Sequence, residues 1–121
     1  MRRIQGKNTG GQFLALPKKR LLGQFIQLLL GHSDTVWPLG SLKRMPIEVR
    51  EGKLYGPGSY DMKAGLMFML FALKALQEND FTPEVAPVIF INSDEEIGSF
   101  ESKNNIIRLA KLSDRTLVME P

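Results

Sequence analysis

The 121-residue chain has no cysteine and a single histidine, His32, and these two shortages exclude whole classes of chemistry. Without cysteine there can be no disulfide framework, no cysteine-ligated zinc site and no thiol nucleophile. With one histidine the chain cannot hold a two-histidine metal motif. Long apolar runs are also missing, because the longest, residues 64–73, falls short of the about 20 residues that a membrane span needs.

Positive charge is in slight excess, with 16 basic and 13 acidic residues and a formal net charge of +3. The excess is local, and its densest run, residues 18–20, has no interleaved aromatic side chains. That pattern favours a solvated face over a nucleic-acid surface. The N-terminus has basic residues but no apolar segment typical of a signal peptide. We therefore expect a cytoplasmic protein with neither a nucleic-acid nor a membrane partner.

The apolar pattern predicts alternating strands and helices in one domain. We expect strands at residues 12–16, 25–30, 85–92 and 116–119, a hairpin at 47–55 that turns at Glu51 and Gly52, and helices at 62–77 and about 99–111. The broad apolar stripe of the first helix predicts a well-buried element, and Ser99 is a candidate N-cap of the second. The order predicts an α/β fold, a three-layer sandwich with a largely parallel, mixed sheet.

Acidic residues and the one histidine gather at the predicted carboxyl ends of the strands, where open parallel sheets bind ligands. They are His32, Asp34, Asp94, Glu95, Glu96 and Glu120, with Asp61 between a glycine-rich turn and the first helix. Carboxylates that converge on one edge of a sheet repel one another, and a divalent cation removes that cost. This placement therefore indicates a metal site.

Each of these residues also has a simpler interpretation. His32 can be structural, Asp61 can stabilise the positive end of a helix, and Glu120 can be a surface residue. Glu95 and Glu96 can form a solvated acidic turn, since neighbouring strand side chains point to opposite faces unless the chain bends. The turn at residues 56–58 lacks the known phosphate-binding patterns, and no serine lies in a nucleophile-elbow context.

Four segments together carry a resemblance to a known family. They read GHSDTV at 31–36, YGPGSYDMKAG at 55–65, NSDEEIGS at 92–99 and EP at 120–121. In this order they resemble the aminoacylase/carboxypeptidase family of di-zinc metallopeptidases, which includes acetylornithine deacetylases and succinyl-diaminopimelate desuccinylases. The resemblance is closest to the glutamate carboxypeptidase branch. The spacings match as well, with 29 residues from His32 to Asp61, 34 from Asp61 to Glu95 and 24 from Glu96 to Glu120.

The resemblance implies a set of metal ligands. Asp61 would bridge two zinc ions, His32 and Glu120 would complete one site, and Glu96 would bind the other ion. Cobalt or manganese would suit the same donor atoms. The second site would still lack a histidine, because the chain has only His32.

The resemblance also implies catalytic roles. Glu95 would be the general base for a water held between the metals, and Asp34 would orient His32. The peptide bond between Asp61 and Met62 would be cis. The expected reaction is hydrolysis of an amide bond in a small peptide or an N-acyl amino acid, of the carboxypeptidase or deacylase type.

By the same resemblance, residues 1–121 would be only part of a zinc-exopeptidase-like catalytic domain. The lid or dimerisation domain and the later part of the catalytic domain would be absent, and the parent would be a homodimer through that lid. We expect the 121-residue chain alone to be inactive. The alternatives are a non-catalytic or degenerate metal-binding α/β domain, and a purely structural α/β module.

Overall fold

The computed structural model describes residues 1–121 as two sheets and two α-helices. The strands are β1 Arg2–Ile4, β2 Gln12–Ala15, β3 Ile26–His32, β4 Glu48–Arg50, β5 Lys53–Tyr55, β6 Ala86–Asn92 and β7 Arg115–Val118. The helices are α1 Gly65–Glu78 and α2 Lys103–Leu112, with a short 3-10 helix at Ser41–Lys43 and a π-helical turn at Ser59–Ala64. None of these helices is long and apolar enough to cross a bilayer.

The main sheet has five strands in the order β1-β2-β6-β3-β7. Its centre is parallel, because β3 pairs with both β6 and β7 in the same direction, while β1 and β2 run antiparallel. The register sets His32 beside Asn92 and Leu30 beside Val118, so β3 and β6 end at one level and Glu120, two residues after β7, reaches that level. The predicted mixed α/β sheet is therefore confirmed, and its carboxyl edge gathers three loops.

One face of the sheet carries the apolar core. Leu28, Val88 and Phe90 form a buried cluster, and Ile106 and Leu109 of α2 pack against it. A nearly continuous apolar sequence in β3 and β6 produces this cluster because both strands lie inside the sheet and are covered.

The opposite face of β3 carries α1 and the turn before it. A Cβ atom added to Gly31 would lie 2.7 Å from Leu66 and 2.9 Å from the end of Met62, so the glycine allows this close approach. Because alternate residues of a strand face opposite sides, the two helices cover opposite faces. The result is the three-layer arrangement that the sequence predicted.

One strand was missed, and the starts of both helices were predicted wrongly. Strand β1 was not predicted, because its Arg-Arg-Ile sequence has no apolar alternation and it forms only by pairing with β2. Helix α1 begins at Gly65 rather than residue 62, since Asp61 and Met62 have non-helical backbone angles. Helix α2 begins at Lys103 with Ser102 in the N-cap position, so Ser99, which has a left-handed φ of 56°, is not the N-cap.

The prediction that α1 is well buried was also wrong. Met69 is buried, whereas Phe68 and Phe71 are 73% and 58% exposed. They line a largely apolar groove of about 570 Å³ between α1 and the segment that carries the β4–β5 hairpin. The apolar stripe of α1 is wider than the face that the sheet covers, and periodicity alone cannot show which part is covered.

The predicted hairpin is confirmed as the separate two-stranded sheet β4–β5. Its turn residues Glu51 and Gly52 have φ values of 51° and 72°. Positive φ at both central residues is the geometry that two-residue hairpins favour.

Candidate metal and catalytic centre

His32 is the last residue of β3, and its side chain is only 1% exposed. Its two ring nitrogens face different carboxylates. Nε2 lies 3.1 Å from Oδ1 of Asp61 and 3.3 Å from Oε1 of Glu120. Nδ1 lies 3.1 Å from the backbone oxygen of Asp34 and 3.3 Å from its Oδ1. The angles favour the backbone oxygen as the acceptor of an Nδ1–H, since Asp34 Oδ1 has no hydrogen-bond partner.

This arrangement leaves Nε2 as the nitrogen available to a metal. One ligand atom from each of His32, Asp61 and Glu120 lies within 4.8 Å of the other two. The structure thus brings together three of the four predicted metal ligands.

Asp61 reaches His32 from the turn that precedes α1. The peptide bond between Asp61 and Met62 is cis, as the resemblance implied. The His32 backbone N–H donates to Sδ of the buried Met62 at 2.9 Å. Gly58, with a φ of 71°, begins the turn, and a Cβ there would lie 2.3 Å from Cγ2 of Thr35. Only glycine therefore fits where the turn passes the loop after β3.

Glu120 is delivered by β7. The Met119 N–H donates to the Leu30 carbonyl at 3.2 Å, which extends the pairing with β3 by one residue. Glu120 then follows at the level of His32, where its side chain is 37% exposed.

The charges of this cluster shift two pKa values. Burial alone would lower the pKa of His32, but the carboxylates of Glu120, Asp34 and Asp61 outweigh burial and raise it above its ordinary value of 6.5. Burial raises the pKa of Glu120, the His32 ring lowers it and Asp61 raises it, with a net upward change. Both shifts favour the protonated form of the group, because neighbouring carboxylates stabilise positive charge and disfavour a further negative charge.

Glu95 lies in the same cleft, a cavity of about 330 Å³ that His32, Asp61 and Glu120 also line. Glu96 is placed differently. Its backbone N–H donates to Oδ2 of Asp34 at 3.0 Å, and its carboxylate is not part of the three-residue cluster. The chain turns here, with Gly98 at a φ of 96° and its N–H bonded to the Glu95 carbonyl at 2.8 Å.

A buried polar network beside this turn was missed from the sequence. Asn92, Asp94 and Ser102 are each at most 2% exposed and are joined by hydrogen bonds. Burial raises the pKa of the Asp94 carboxyl, but hydrogen bonds from Ser102, Glu101 and Asn92 outweigh burial and hold it below the ordinary 3.8. In the sequence, only the position of Asp94 after a strand was visible, and that position does not show which residues it bonds to.

Fold and side-chain cluster together define an α/β protein with a candidate metal centre at the carboxyl edge of its sheet. Residues 28–120 match the sequence model of Peptidase family M20/M25/M40, and the chain belongs to this family. The predicted family resemblance is thereby confirmed.

Similar curated proteins include carboxypeptidase G2 of Pseudomonas sp. (strain RS-16), which is 42% identical over 118 residues. That match covers 98% of this chain and 27% of the relative. Succinyl-diaminopimelate desuccinylase 2 of Ruegeria sp. (strain TM1040) is 36% identical over 90 residues, covering 69% of this chain and 22% of the relative. The chain therefore spans about a quarter of the length of these relatives.

The fold has a solved counterpart in human carnosine dipeptidase 1. The superposition has a TM-score of 0.72 and covers 91% of this chain and 25% of that structure, at 20% sequence identity. This similarity shows the fold.

The donor set fits a divalent cation of the kind the family implies. One imidazole nitrogen and two carboxylate oxygens are the donor types that zinc accepts in catalytic sites. The raised pKa values of His32 and Glu120 are consistent with this, because the surplus negative charge that raises them would also favour a bound cation.

Proposed function

We propose that this chain carries part of the active site of a metal-dependent hydrolase that cleaves an amide bond in a small peptide or an N-acyl amino acid. The observation that carries the proposal is the convergence of His32, Asp61 and Glu120 within 4.8 Å, with Glu95 on the wall of the same cleft. Membership of a peptidase family supports this reaction class.

His32 Nε2, an oxygen of Asp61 and an oxygen of Glu120 would hold one zinc ion. Asp61 and Glu96 would contribute to a second, which the resemblance completes with a histidine from outside this chain. A divalent cation bound here would polarise the carbonyl of the scissile bond and acidify water. Cobalt or manganese would suit the same oxygen-rich donor set.

The protein side chains have separate tasks. Glu95 would take a proton from the attacking water and return it to the leaving nitrogen, the usual division of labour for a general base. Asp34 accepts from His32 through its backbone oxygen and from the Glu96 N–H through Oδ2. It would therefore orient the ring and fix the neighbouring turn at once.

The substrate class follows from the relatives. The names of the two curated relatives describe a carboxypeptidase and a succinyl-diaminopimelate desuccinylase, and these names fit cleavage of a peptide or an N-acyl amino acid. We assign this chain the same class, in a full-length form that the resemblance makes a homodimer.

The alternative is a metal-binding domain without catalysis. It is favoured by the absence of Glu96 from the three-residue cluster, which leaves one ion site better formed than the other. The two functions differ in what Glu95 does.

A hybrid enzyme separates them. In the hybrid, this chain replaces the matching 118 residues of carboxypeptidase G2, and carboxypeptidase G2 supplies the rest of the protein. We expect the hybrid to hydrolyse N-acyl amino acids and the Glu95→Gln hybrid to retain its metal while losing turnover by about 100-fold or more. Glu84→Gln, at an exposed site away from the cleft, is the matched control.

Metal analysis of the purified hybrids accompanies the rate measurement. Equal turnover in the Glu95→Gln and parent hybrids would refute the role of Glu95. A folded, metal-loaded hybrid without activity would favour the non-catalytic alternative.

A further inference from the structure

We propose that Asp94 is a positioning residue that holds the turn carrying Glu95 and Glu96 against the cleft. The inference rests on the proposed function for what the turn does, and on hydrogen bonds of this chain for how the turn is held. Asp94 itself does not line the cleft and would touch neither substrate nor metal.

The Asp94 carboxylate is 1% exposed and uses both oxygens. Oδ2 accepts the backbone N–H groups of Glu101 at 2.7 Å and Ser102 at 3.0 Å. Oδ1 accepts from Nδ2 of Asn92 at 3.1 Å. A buried carboxylate that accepts several hydrogen bonds forms a strong local anchor, because each bond involves a charged group.

These bonds close the turn at both ends. The backbone oxygen of Asp94 accepts the Ser99 N–H at 2.6 Å, and its side chain holds the two residues that enter α2. Within the loop, Gly98 and Ser99 both have positive φ, at 96° and 56°. A non-glycine residue in that region needs support from its surroundings, which Asp94 provides.

Glu95 depends on this anchor because its own side chain makes no hydrogen bond in the structure. Two further contacts tie the middle of the turn: the Glu96 N–H donates to Asp34 Oδ2 at 3.0 Å, and the Gly98 N–H donates to the Glu95 carbonyl at 2.8 Å. The direction in which Glu95 points is therefore set by the backbone that Asp94 and Asp34 hold.

The network also reaches the loop after His32. The Asn92 carbonyl accepts the Ser33 N–H at 2.9 Å and the Ser33 hydroxyl at 3.1 Å. Asn92 thus connects Asp94 with the residue next to His32, so that the turn and the metal ligand share one support.

Amide hydrogen exchange of the 121-residue chain, read residue by residue by NMR, tests the proposal. In the unchanged chain the Glu101 and Ser102 amides should exchange as slowly as those of β6. In Asp94→Asn one acceptor oxygen is replaced by an NH₂ group, and exchange at Glu96, Glu101 and Ser102 should accelerate by about tenfold to 100-fold. The β3 and β6 amides should not follow.

Asp114→Asn is the matched control. Oδ2 of Asp114 accepts the Ile26 N–H at 2.7 Å at the opposite end of β3, so the variant makes the same Asp-to-Asn change at an exposed carboxylate that also holds a backbone N–H, far from the cleft. It should leave exchange at Glu96, Glu101 and Ser102 unchanged. Acceleration everywhere in Asp94→Asn would mean a general loss of stability and would overturn a specific positioning role.

If Asp94→Asn does not fold, hydrogen exchange of the unchanged chain still tests the proposal, because fast exchange of its Glu101 and Ser102 amides would show that Asp94 does not hold them.

A second measurement reports the position of the turn directly. With Co²⁺ added, the amide of Glu95 should show a paramagnetic shift that shrinks at least about twofold in Asp94→Asn while that of Gly31 is retained. Equal Glu95 shifts in both proteins would contradict the proposal. A chain with slow turn amides that binds no Co²⁺ would instead count against the proposed function alone.

Discussion

At the scale of single residues, the site depends on one imidazole shared by several acids. His32 has Asp34 on its Nδ1 side and Asp61 and Glu120 on its Nε2 side. Such a ring is fixed in orientation and made more basic by its acidic neighbours, which suits a metal ligand.

Replacing Glu120 with glutamine tests the metal cluster in the chain itself. The amide is nearly isosteric but uncharged, so we expect Co²⁺ or Zn²⁺ affinity to fall at least about tenfold. Calorimetric titration at constant pH measures the change. Glu78→Gln, an exposed carboxylate paired with Lys74, should leave affinity unaltered, and equal losses in the two variants would contradict the assignment.

Cation affinity should also rise with pH. A protonated imidazole cannot ligate a metal, and the neighbouring carboxylates raise the pKa of His32 above 6.5 in spite of its burial. Below that pKa the cation must displace a proton, so affinity should increase as pH rises through and above 6.5. Titrations at several pH values with a non-coordinating buffer give the slope, and a flat profile would exclude His32 as a ligand.

At the scale of elements, the site depends on how closely α1 approaches the end of β7. A Cβ atom added to Gly65, the first residue of α1, would lie 1.8 Å from the Met119 carbonyl oxygen. Since Glu120 follows Met119, this approach sets a proposed metal ligand beside the helix that follows Asp61.

Gly65→Ala should therefore destabilise the chain although alanine favours helices. The helix propensity gain is about 1 kcal/mol. Overpacking typically costs about 1–3 kcal/mol, and a clash with backbone lies at the upper end because the carbonyl cannot rotate away. We expect a net loss of about 1–2 kcal/mol in the free energy of unfolding, measured with urea.

Gly10→Ala is the control for that variant. Its added Cβ would lie 3.2 Å from Oγ of Ser93, a side-chain atom that can move. A loss in Gly10→Ala as large as in Gly65→Ala would show that the tight α1–β7 contact is not the cause.

At the scale of the whole molecule, Glu101 joins the N-terminal loop to the segment before α2. Its carboxylate accepts the backbone N–H groups of Lys7 at 2.9 Å and Asn8 at 2.7 Å, and the Thr9 hydroxyl at 2.9 Å. These contacts cross more than 90 residues of sequence, so they fasten the N-terminal loop to the segment that enters α2.

The stability of the chain should fall in acid because of this contact. The Asn8 and Lys7 amides hold the pKa of Glu101 below its ordinary 4.5. A carboxyl with a lowered pKa in the folded state contributes stability above pH 4.5, and that contribution disappears as pH falls through the folded pKa. The midpoint temperature of thermal unfolding should therefore fall further between pH 7 and pH 3 in the unchanged chain than in Glu101→Gln. Glu84→Gln should behave like the unchanged chain, and three identical profiles would contradict the assignment.

Sequence patterns gave the strand-rich core correctly because buried parallel strands are apolar throughout. Strands β3 and β6 were predicted within two residues at either end. Strand β1 could not be found in the same way, since its charged residues pair with β2 only once the chain has folded. The start of α1 was misplaced because the Met62 side chain continues the helical pattern while its backbone does not.

The sequence by itself determined the family, the mixed α/β fold and the candidate residues, because motif order and strand-end position are local properties of the chain. The tertiary structure decided which candidates meet. It joined Asp61 and Glu120 to His32 and left Glu96 outside that cluster, because Glu96 lies in a turn whose backbone is bonded to Asp34. It also gave Asp94 the hydrogen bonds on which its proposed positioning role rests, because its partners Glu101 and Ser102 lie across a turn that only tertiary packing closes.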